Sequence, residues 1–164
     1  MALLVSDSSV LIDLERGGLL EATFQCGLSM VVPDLLYERE LKEYNGQYFM
    51  QLGLSVTELT PDELAYAQEM ETQQPKLSLV DCFALSCARR QNHILLAGDG
   101  LLRKVATADS VECKGLLWLL DQMIASGKIP MTQLCDGLSR ISQDRRCRLP
   151  KAEVSSRLAE WCKS

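Results

Sequence analysis

The fold is decided by residues 78–106, SLVDCFALSCARRQNHILLAGDGLLRKVA. This stretch predicts a helix over 78–90, a strand over 93–97, a Gly-Asp-Gly turn at 98–100 and a short helix over 101–106. The strand is a short apolar run between turn signals, which is typical of a strand that is buried on both faces. A buried strand between two helices indicates βαβ units, and therefore a parallel sheet.

The same alternation runs through most of the chain. Four further short segments, at 3–6, 29–32, 54–59 and 111–113, predict strands, and helical patterns separate them, the longest over 34–50. We therefore expect an α/β fold, a three-layer α/β/α sandwich with a central parallel β-sheet. The alternation stops after Pro130, where only helices over about 131–143 and 151–162 remain. The predicted organisation is a domain over 1–130 and a C-terminal helical extension over 131–164, packed on that domain.

Composition excludes several classes of protein. A chain of 164 residues with 47% hydrophobic residues is long enough for one domain with a sizeable core. Its net charge of −5 argues against a protein that holds nucleic acid by bulk charge, although residues 139–164 carry seven basic and three acidic side chains. No apolar run approaches the ~20 residues of a membrane span, and the start lacks the pattern of a signal peptide.

Cysteine usage points to free thiols. The seven cysteines include no C-x-x-C pair, and the chain has a single histidine, His93, so that a zinc site of ordinary spacing is not expected. Several cysteines fall on apolar faces, where a free thiol behaves as a small hydrophobic side chain. The expectation is a reduced, cytoplasmic protein without disulfides.

Acidic residues stand at the ends of the predicted strands and on two helices. Asp7 and Asp99 each follow a strand and precede a helix, and Asp81 lies three residues after Ser78; each is therefore also a candidate helix cap. Glu38 and its neighbour Glu40 lie one turn inside a helix, and spacing alone does not separate them. Individually, these acids fit ordinary caps or solvated helix faces.

Together the acids indicate a metal site. Ligands bind outside the carboxyl ends of parallel strands, where Asp7 and Asp99 lie, and the helices bearing Glu38 and Asp81 begin near that edge or run along it. Converging carboxylates repel one another and therefore need compensating cations. Oxygen ligands without histidine or cysteine favour Mg²⁺ or Mn²⁺, which support phosphoryl chemistry in such clusters.

Four segments carry a family resemblance. They are VSDSSVLI at 5–12, VPDLLYEREL at 32–41, LVDCFALSCA at 79–88 and LLAGDGLLRKVA at 95–106. They resemble the acid-bearing segments of PIN domains, specifically the short bacterial and archaeal kind that includes VapC-type toxins. The resemblance covers about residues 2–125, and its last segment is the most specific.

The resemblance implies a metal-dependent ribonuclease that cleaves single-stranded RNA. Its catalytic quartet would be Asp7, Glu38, Asp81 and Asp99, with Glu38 favoured over Glu40, and the three aspartates would hold Mg²⁺ or Mn²⁺. Ser9 would be a supporting hydroxyl beside Asp7. One departure is Ala97, where the family often has threonine before the Gly-Asp turn; this removes a hydroxyl but no ligand.

Partners follow from the same hypothesis. RNA phosphates would contact basic residues after the last acid and in the tail, with a solvated loop as the alternative for the tail cluster; these residues are Arg103, Lys104, Arg145, Arg146 and Arg148. A toxin would have a cognate antitoxin, and the family implies a homodimer. The alternative function is a catalytically weak PIN-like module that binds protein or RNA. A phospho-receiver domain is excluded because no acid adjoins Asp7, and a haloacid-dehalogenase phosphatase because position 9 is serine rather than aspartate.

Overall fold

The computed structural model describes residues 2–163, and its centre is a five-stranded sheet. The strands are β1 (Leu3–Ser6), β2 (Met30–Pro33), β3 (Ser55–Thr57), β4 (His93–Leu96) and β5 (Cys113–Lys114). They lie in the order β3-β2-β1-β4-β5, and every pairing is parallel. Helices flank this sheet, which confirms the predicted α/β/α sandwich with a central parallel sheet.

Ten helices connect or follow the strands within the described residues. They are α1 (Ser8–Arg16), α2 (Leu20–Gln25), α3 (Asp34–Leu36), α4 (Lys42–Leu52), α5 (Pro61–Gln73), α6 (Leu79–Ala88), α7 (Gly100–Ala108), α8 (Leu116–Ser126), α9 (Met131–Gln143) and α10 (Lys151–Trp161). A π-helical turn, Tyr37–Leu41, joins α3 to α4. From residue 2 to residue 163, no helix is both long and apolar enough to cross a membrane.

The central strand β1 places the first acid at the edge of the sheet. Val5 is fully buried and pairs with Val31 on one side and Leu95 on the other, which explains why these strands read as continuous apolar runs. The backbone N–H of Asp7 then donates to the carbonyl of Leu96 at 2.9 Å. Asp7 therefore stands just beyond the carboxyl end of β1, beside the end of β4.

The segment predicted as one helix over 34–50 is interrupted. The π-helical turn accommodates one more residue per turn than an α-helix, and the backbone leaves helical geometry again at Asn45 (φ −169°, ψ 38°). Gly46 then packs on Tyr37, because a Cβ at position 46 would lie 2.8 Å from that ring. Beyond this point the helix continues to Leu52, two residues past the predicted end.

Strands β3 and β5 are shorter than, or shifted from, the predicted strands. The prediction of 54–59 becomes Ser55–Thr57, and that of 111–113 becomes Cys113–Lys114. Both are edge strands, with a hydrogen-bonding neighbour on one side only. A single ladder stabilises fewer residues than the two ladders of a central strand, so apolar patterning overestimates strand length at the edges.

Helix α9 packs against the end of α1 and the residues that follow it, where a Cβ at Gly17 would lie 2.8 Å from Ile141. A Cβ at Gly137 of α9 would lie 2.4 Å from the side chain of Leu19, so the two segments are in direct contact. Helix α10 returns along α9, and Arg157 pairs with Asp121 of α8 through two hydrogen bonds of 2.7 and 2.9 Å. This arrangement brings the end of α10 beside the start of α9.

A disulfide joins these two points, which corrects the prediction that the cysteines are all free. Cys135 of α9 is bonded to Cys162 after α10, with the two Cα atoms 5.3 Å apart. The other five cysteines, Cys26, Cys82, Cys87, Cys113 and Cys147, are free thiols. The two bonded residues are 27 positions apart, and only the return of α10 along α9 brings them together. No local pattern in the sequence records that contact.

Candidate active site

Asp7 is buried at the start of α1. Its side chain is 7% exposed, and its Oδ1 accepts hydrogen bonds from the backbone N–H of Val10 (3.0 Å) and from the Ser9 hydroxyl (2.9 Å). Its Oδ2 accepts from the backbone N–H of Gly98 at 3.2 Å. Asp7 is therefore an N-cap, as its position in the sequence allows, and it also links the end of β1 to the loop after β4. Ser9 lies beside it, where the resemblance places a supporting hydroxyl.

The surroundings of Asp7 disfavour its ionised form. Burial raises the pKa of Asp7 to about 6, the hydrogen bonds from Val10, Ser9 and Gly98 oppose that rise, and the charge of Asp81 adds to it. Asp7 and Asp81 are thus close enough to repel each other. Neither forms a salt bridge within residues 2–163. A cation at this edge would offset both charges.

Asp99 and Asp81 also cap helices, each with one carboxylate oxygen. Asp99 Oδ2 accepts from the backbone N–H of Leu102 at 2.9 Å, at the start of α7. Asp81 and Ser78 form a reciprocal capping box at the start of α6, in which Asp81 Oδ2 accepts from the Ser78 backbone N–H at 3.4 Å. In the described part of the chain, the Oδ1 atoms of Asp81 and Asp99 accept no hydrogen bond. Capping therefore leaves each aspartate one oxygen for a ligand.

The structure separates the two glutamates that spacing leaves equivalent. Glu38 pairs with Lys42, one helical turn later, at 3.2 Å, and both side chains are 58% exposed. Glu40 instead accepts a hydrogen bond of 2.7 Å from the hydroxyl of Ser8, the residue that follows Asp7. Both glutamates belong to the π-helical turn, and of the two only Glu40 is hydrogen-bonded to the segment around Asp7.

A groove of about 570 Å³ extends from Asp99, the one predicted catalytic acid among its lining residues, to the C-terminal tail. Its walls come from the start of α1, the turn after β4 and the loop between α9 and α10. The lining residues are Ser8, Ser9, Ile12, Asp13, Arg16, Gly98, Asp99, Gly100, Arg146, Arg148 and Leu149. The basic tail that stands out in the sequence thus lies in the same groove as Asp99.

Ion pairs with Asp144 position two arginines in this groove. Arg146 donates to both carboxylate oxygens of Asp144, at 3.0 and 3.1 Å, and Arg16 Nε lies 3.8 Å from the same carboxylate. Arg16 also pairs with Asp13 at 3.4 Å. Sequence reasoning missed Arg16, because a basic residue in the last turn of a helix is ordinarily explained by the helix dipole.

The other predicted phosphate contacts lie outside the groove. Arg145 borders an adjoining depression, with Asp144 and Arg146. Arg103 extends toward β5: its guanidinium lies 3.6 Å from a Cβ built on Gly115, and its charge opposes the rise that burial causes in the pKa of the Cys113 thiol. Lys104 is exposed on α7. Neither Arg103 nor Lys104 is among the described residues that line the groove.

The chemistry of the acids fits a hard divalent cation. Their donors are carboxylate oxygens, which Mg²⁺ and Mn²⁺ prefer, and the burial of Asp7 beside Asp81 leaves negative charge uncompensated. Between residues 2 and 163, however, no three acidic, histidine or cysteine side chains are close enough to form a ready-made metal cluster. Ion binding would therefore have to draw the carboxylates together from their capping positions.

Comparison with protein families identifies the fold. A family model described as "PIN domain" matches residues 3–163, which is nearly the whole chain and includes α9 and α10. Comparison with curated proteins gives no match. PIN domains are generally nucleases, and they typically use divalent metals.

Proposed function

We propose that this chain, which belongs to the PIN-domain family, is an Mg²⁺- or Mn²⁺-dependent endoribonuclease that hydrolyses phosphodiester bonds in single-stranded RNA. The observation that carries the proposal is one groove with two kinds of residue. Asp99 and the two serines after Asp7 line it at one end, and Arg146 and Arg148 line it at the other. Carboxylates that bind cations beside arginines that bind phosphates are the two requirements of a phosphodiesterase site.

The three aspartates would hold the metal. Asp7 is fixed by three hydrogen bonds, whereas Asp81 and Asp99 each keep one oxygen outside their caps. A divalent ion bound there supplies activation of water and stabilisation of the leaving oxygen. Because the carboxylates belong to the starts of three helices, the scaffold limits how far each of them can move.

Glu40 is the fourth acid in this proposal. Its carboxylate is anchored on Ser8, next to Asp7, and a positioned carboxylate can accept a proton from an attacking water molecule. Glu38, which the family resemblance favours, remains the alternative. Its carboxylate pairs with Lys42 and is largely exposed.

The arginines would hold the RNA strand. Arg146 and Arg148 belong to the loop between α9 and α10, and Arg16 faces them from the end of α1. Each guanidinium can donate two hydrogen bonds to one phosphate. Such contacts release counterions, so we expect RNA binding to weaken steeply as the salt concentration rises.

We further propose a VapC-like toxin, on the resemblance of the four acid-bearing segments. This role implies a cytoplasmic protein, a cognate antitoxin and a homodimer. An antitoxin would inhibit most simply by laying a helix or an extended arm across the groove. A small reading frame that overlaps the gene, whose product co-purifies with this chain and blocks RNA cleavage, would support the assignment. Light scattering of the purified chain tests the dimer.

RNA cleavage by purified protein tests the nuclease. Fluorescently labelled single-stranded RNA is incubated with Mn²⁺ and either wild type, Asp7→Asn or Asp81→Asn, and the products are examined for a 5′-phosphate. Asp136→Asn is the matched control, because Asp136 is an exposed acid on α9 outside the groove. We expect each site variant to lose about 100-fold or more and the control to retain activity.

A second measurement on the same protein can contradict the proposed nuclease. Calorimetric titration with Mn²⁺ measures ion binding independently of cleavage. A wild-type protein that degrades no RNA and binds no Mn²⁺ would contradict the proposal and favour the PIN-like binding module.

A further inference from the structure

Two basic side chains lie at the start of α8, next to the end of β5. A guanidinium nitrogen of Arg103, on α7, lies 3.6 Å from a Cβ built on Gly115, the residue before α8. The ammonium group of Lys114, the last residue of β5, lies over the ring of Trp118 in the first turn of α8, 5.9 Å from the ring centroid. Both cations therefore lie beside the same short segment, residues 115–118.

This basic pair lies at the edge of the sheet that carries the acids. The backbone N–H of Ala97 donates to the carbonyl of Lys114 at 3.0 Å, so the ends of β4 and β5 are adjacent. Asp99 follows Ala97 by two residues, and its carbonyl accepts a hydrogen bond of 3.1 Å from the backbone N–H of Arg103, one turn along α7. Arg103 and Lys114 thus reach the start of α8 from two segments that are both anchored beside Asp99.

The groove and the basic pair lie on opposite sides of Asp99. In the sheet, β4 lies between β1 and β5, so the turn that holds Asp99 lies between the start of α1, which follows β1, and the start of α8, which follows β5. The groove is on the α1 side, where Arg16 and Arg146 line it. Arg103 and Lys114 are not among its described lining residues. They therefore form a separate basic surface on the β5 side.

No carboxylate pairs with either cation in the described part of the chain. Arg103 and Lys114 take part in none of its salt bridges. Helix α8 has no acidic residue in its first turn, so it supplies no internal counterion. In the groove, by contrast, Arg16 and Arg146 each pair with an aspartate. The positive charge of the basic pair is thus available to an anion from outside the chain.

We propose that Arg103 and Lys114 form a second phosphate-binding site, which holds an RNA phosphodiester on the β5 side of the acids. This inference rests on the proposed function and specifies the path of the substrate. The strand crosses the edge that carries the acids, from the groove to the start of α8, so its backbone is held on both sides of the bond that is cleaved. Guanidinium and ammonium groups both donate to phosphate oxygens, and such backbone contacts carry no sequence preference.

Binding of labelled RNA tests the inference. Fluorescence anisotropy in EDTA, where metal-dependent cleavage cannot proceed, gives the affinity of single strands of about 12 nucleotides for wild type, Arg103→Gln and Lys114→Gln. Glutamine removes the charge and keeps much of the side chain. Lys104→Gln is the matched control, because it removes the same charge from an exposed neighbouring position of α7, and adjacent residues of a helix do not face each other.

Each site variant should weaken binding about fivefold at 0.1 M salt, and Lys104→Gln should bind within about twofold of wild type. One phosphate contact to a single strand changes log K by about 0.7 for each tenfold change in salt concentration. The slope of log K against log salt should therefore fall by about 0.7 in Arg103→Gln and in Lys114→Gln. A strand of the same length without bases should show the same losses, because the contact is to phosphate.

Four results would overturn the inference. They are binding of either site variant with the affinity of wild type, an equal loss in Lys104→Gln, a loss that disappears on the strand without bases, and no binding by wild type. Thermal unfolding of each variant checks that the fold is intact.

Cleavage in Mn²⁺ distinguishes failure of this inference from failure of the proposed function. In the site variants KM should rise about fivefold while kcat stays within about twofold of wild type, because the pair binds the strand away from the reacting atoms. Wild type that cleaves RNA while both site variants bind and cleave equally well retains the nuclease and removes the second site. Wild type that binds RNA through Arg103 and Lys114 but cleaves none contradicts the nuclease and keeps the second site.

Discussion

Replacing Asp7 with asparagine should stabilise the metal-free protein at pH 7 while removing the proposed activity. Burial raises the pKa of Asp7 from 3.8 to about 6, so keeping this group ionised at pH 7 costs about 3 kcal/mol, at 1.36 kcal/mol per pKa unit. Asparagine avoids that cost, but its NH₂ group faces the backbone N–H of Gly98, which now donates to Asp7 Oδ2 at 3.2 Å. Losing this long hydrogen bond costs about 1–2 kcal/mol. The net gain is about 1–2 kcal/mol, or about 3–6 °C in melting temperature.

The extra stability of Asp7→Asn over wild type should increase as the pH rises. The folded protein holds the Asp7 proton up to about pH 6, whereas the unfolded chain releases it near pH 3.8. Between those values the folded state binds more protons, so the contribution of Asp7 to stability falls as the pH rises. Below the pKa of Asp7 in the unfolded chain, Asp7 is protonated in both states and the cost of ionising it disappears. Asp7→Asn is then less stable than wild type, because it still lacks the hydrogen bond from the Gly98 backbone N–H. The difference between the two proteins should therefore reverse sign as the pH is lowered.

Urea unfolding in EDTA from pH 4 to pH 8 measures this difference for wild type and Asp7→Asn, with Asp136→Asn as the control for an exposed charge. A variant that is less stable than wild type by the same amount at every pH would refute the reasoning, because ionising Asp7 would then cost nothing. Adding Mn²⁺ at pH 7 should raise the stability of wild type more than that of the variant, since bound metal stabilises the folded state.

Three other perturbations test separate parts of the structure. Glu40→Gln should lower RNA cleavage about 100-fold or more and Glu38→Gln by about threefold at most, because only Glu40 contacts Ser8; the reverse ranking would restore the assignment from family resemblance. Cys135→Ser should destabilise the oxidised protein in urea by about 3–4 kcal/mol, from closure of a loop between residues 27 positions apart. In excess dithiothreitol, which reduces the disulfide, wild type should unfold with the same free energy as Cys135→Ser. A difference in unfolding free energy that persists in reductant would mean that the serine destabilises the protein by something other than loss of the disulfide. Gly137→Ala should lower the melting temperature through overpacking of about 1–3 kcal/mol, because its Cβ would lie 2.4 Å from Leu19. The control is Gly100→Ala, whose added methyl group meets nothing within 4 Å; equal effects of the two would show that the contact at Leu19 relaxes freely.

The central strands could be predicted because their burial is visible in a few consecutive residues of the sequence. Residues of β1, β2 and β4 are nearly all buried, so each strand reads as an apolar run bounded by a turn or a helix start. The edge strands β3 and β5 have one neighbour each, and their limits depend on that neighbour as well as on their own composition. The interruption within 37–46 was hidden for a similar reason: it depends on Tyr37 fitting against Gly46.

Some residues of the candidate site could also be predicted from the sequence, and others depend on tertiary contacts. Asp7 and Asp99 could be placed at one edge from the sequence, because each directly follows a strand of a parallel sheet. The preference for Glu40 could not, because it depends on a π-helical turn and on a hydrogen bond to Ser8, 32 residues earlier. Arg16 was missed because its partner Asp144 comes from the far end of the chain.

Short-range patterns thus established the sandwich, the order of its strands along the chain and the positions of the aspartates, because hydrophobic periodicity and helix caps act over a few residues. Long-range packing established the rest. The return of α10 along α9 joins Cys135 to Cys162, and the loop between these helices brings Arg146 into the same groove as Asp99. These contacts join residues that are far apart in the chain, and their energy depends on the complete fold. Only the tertiary structure could therefore show that the basic tail and the acidic edge form one groove.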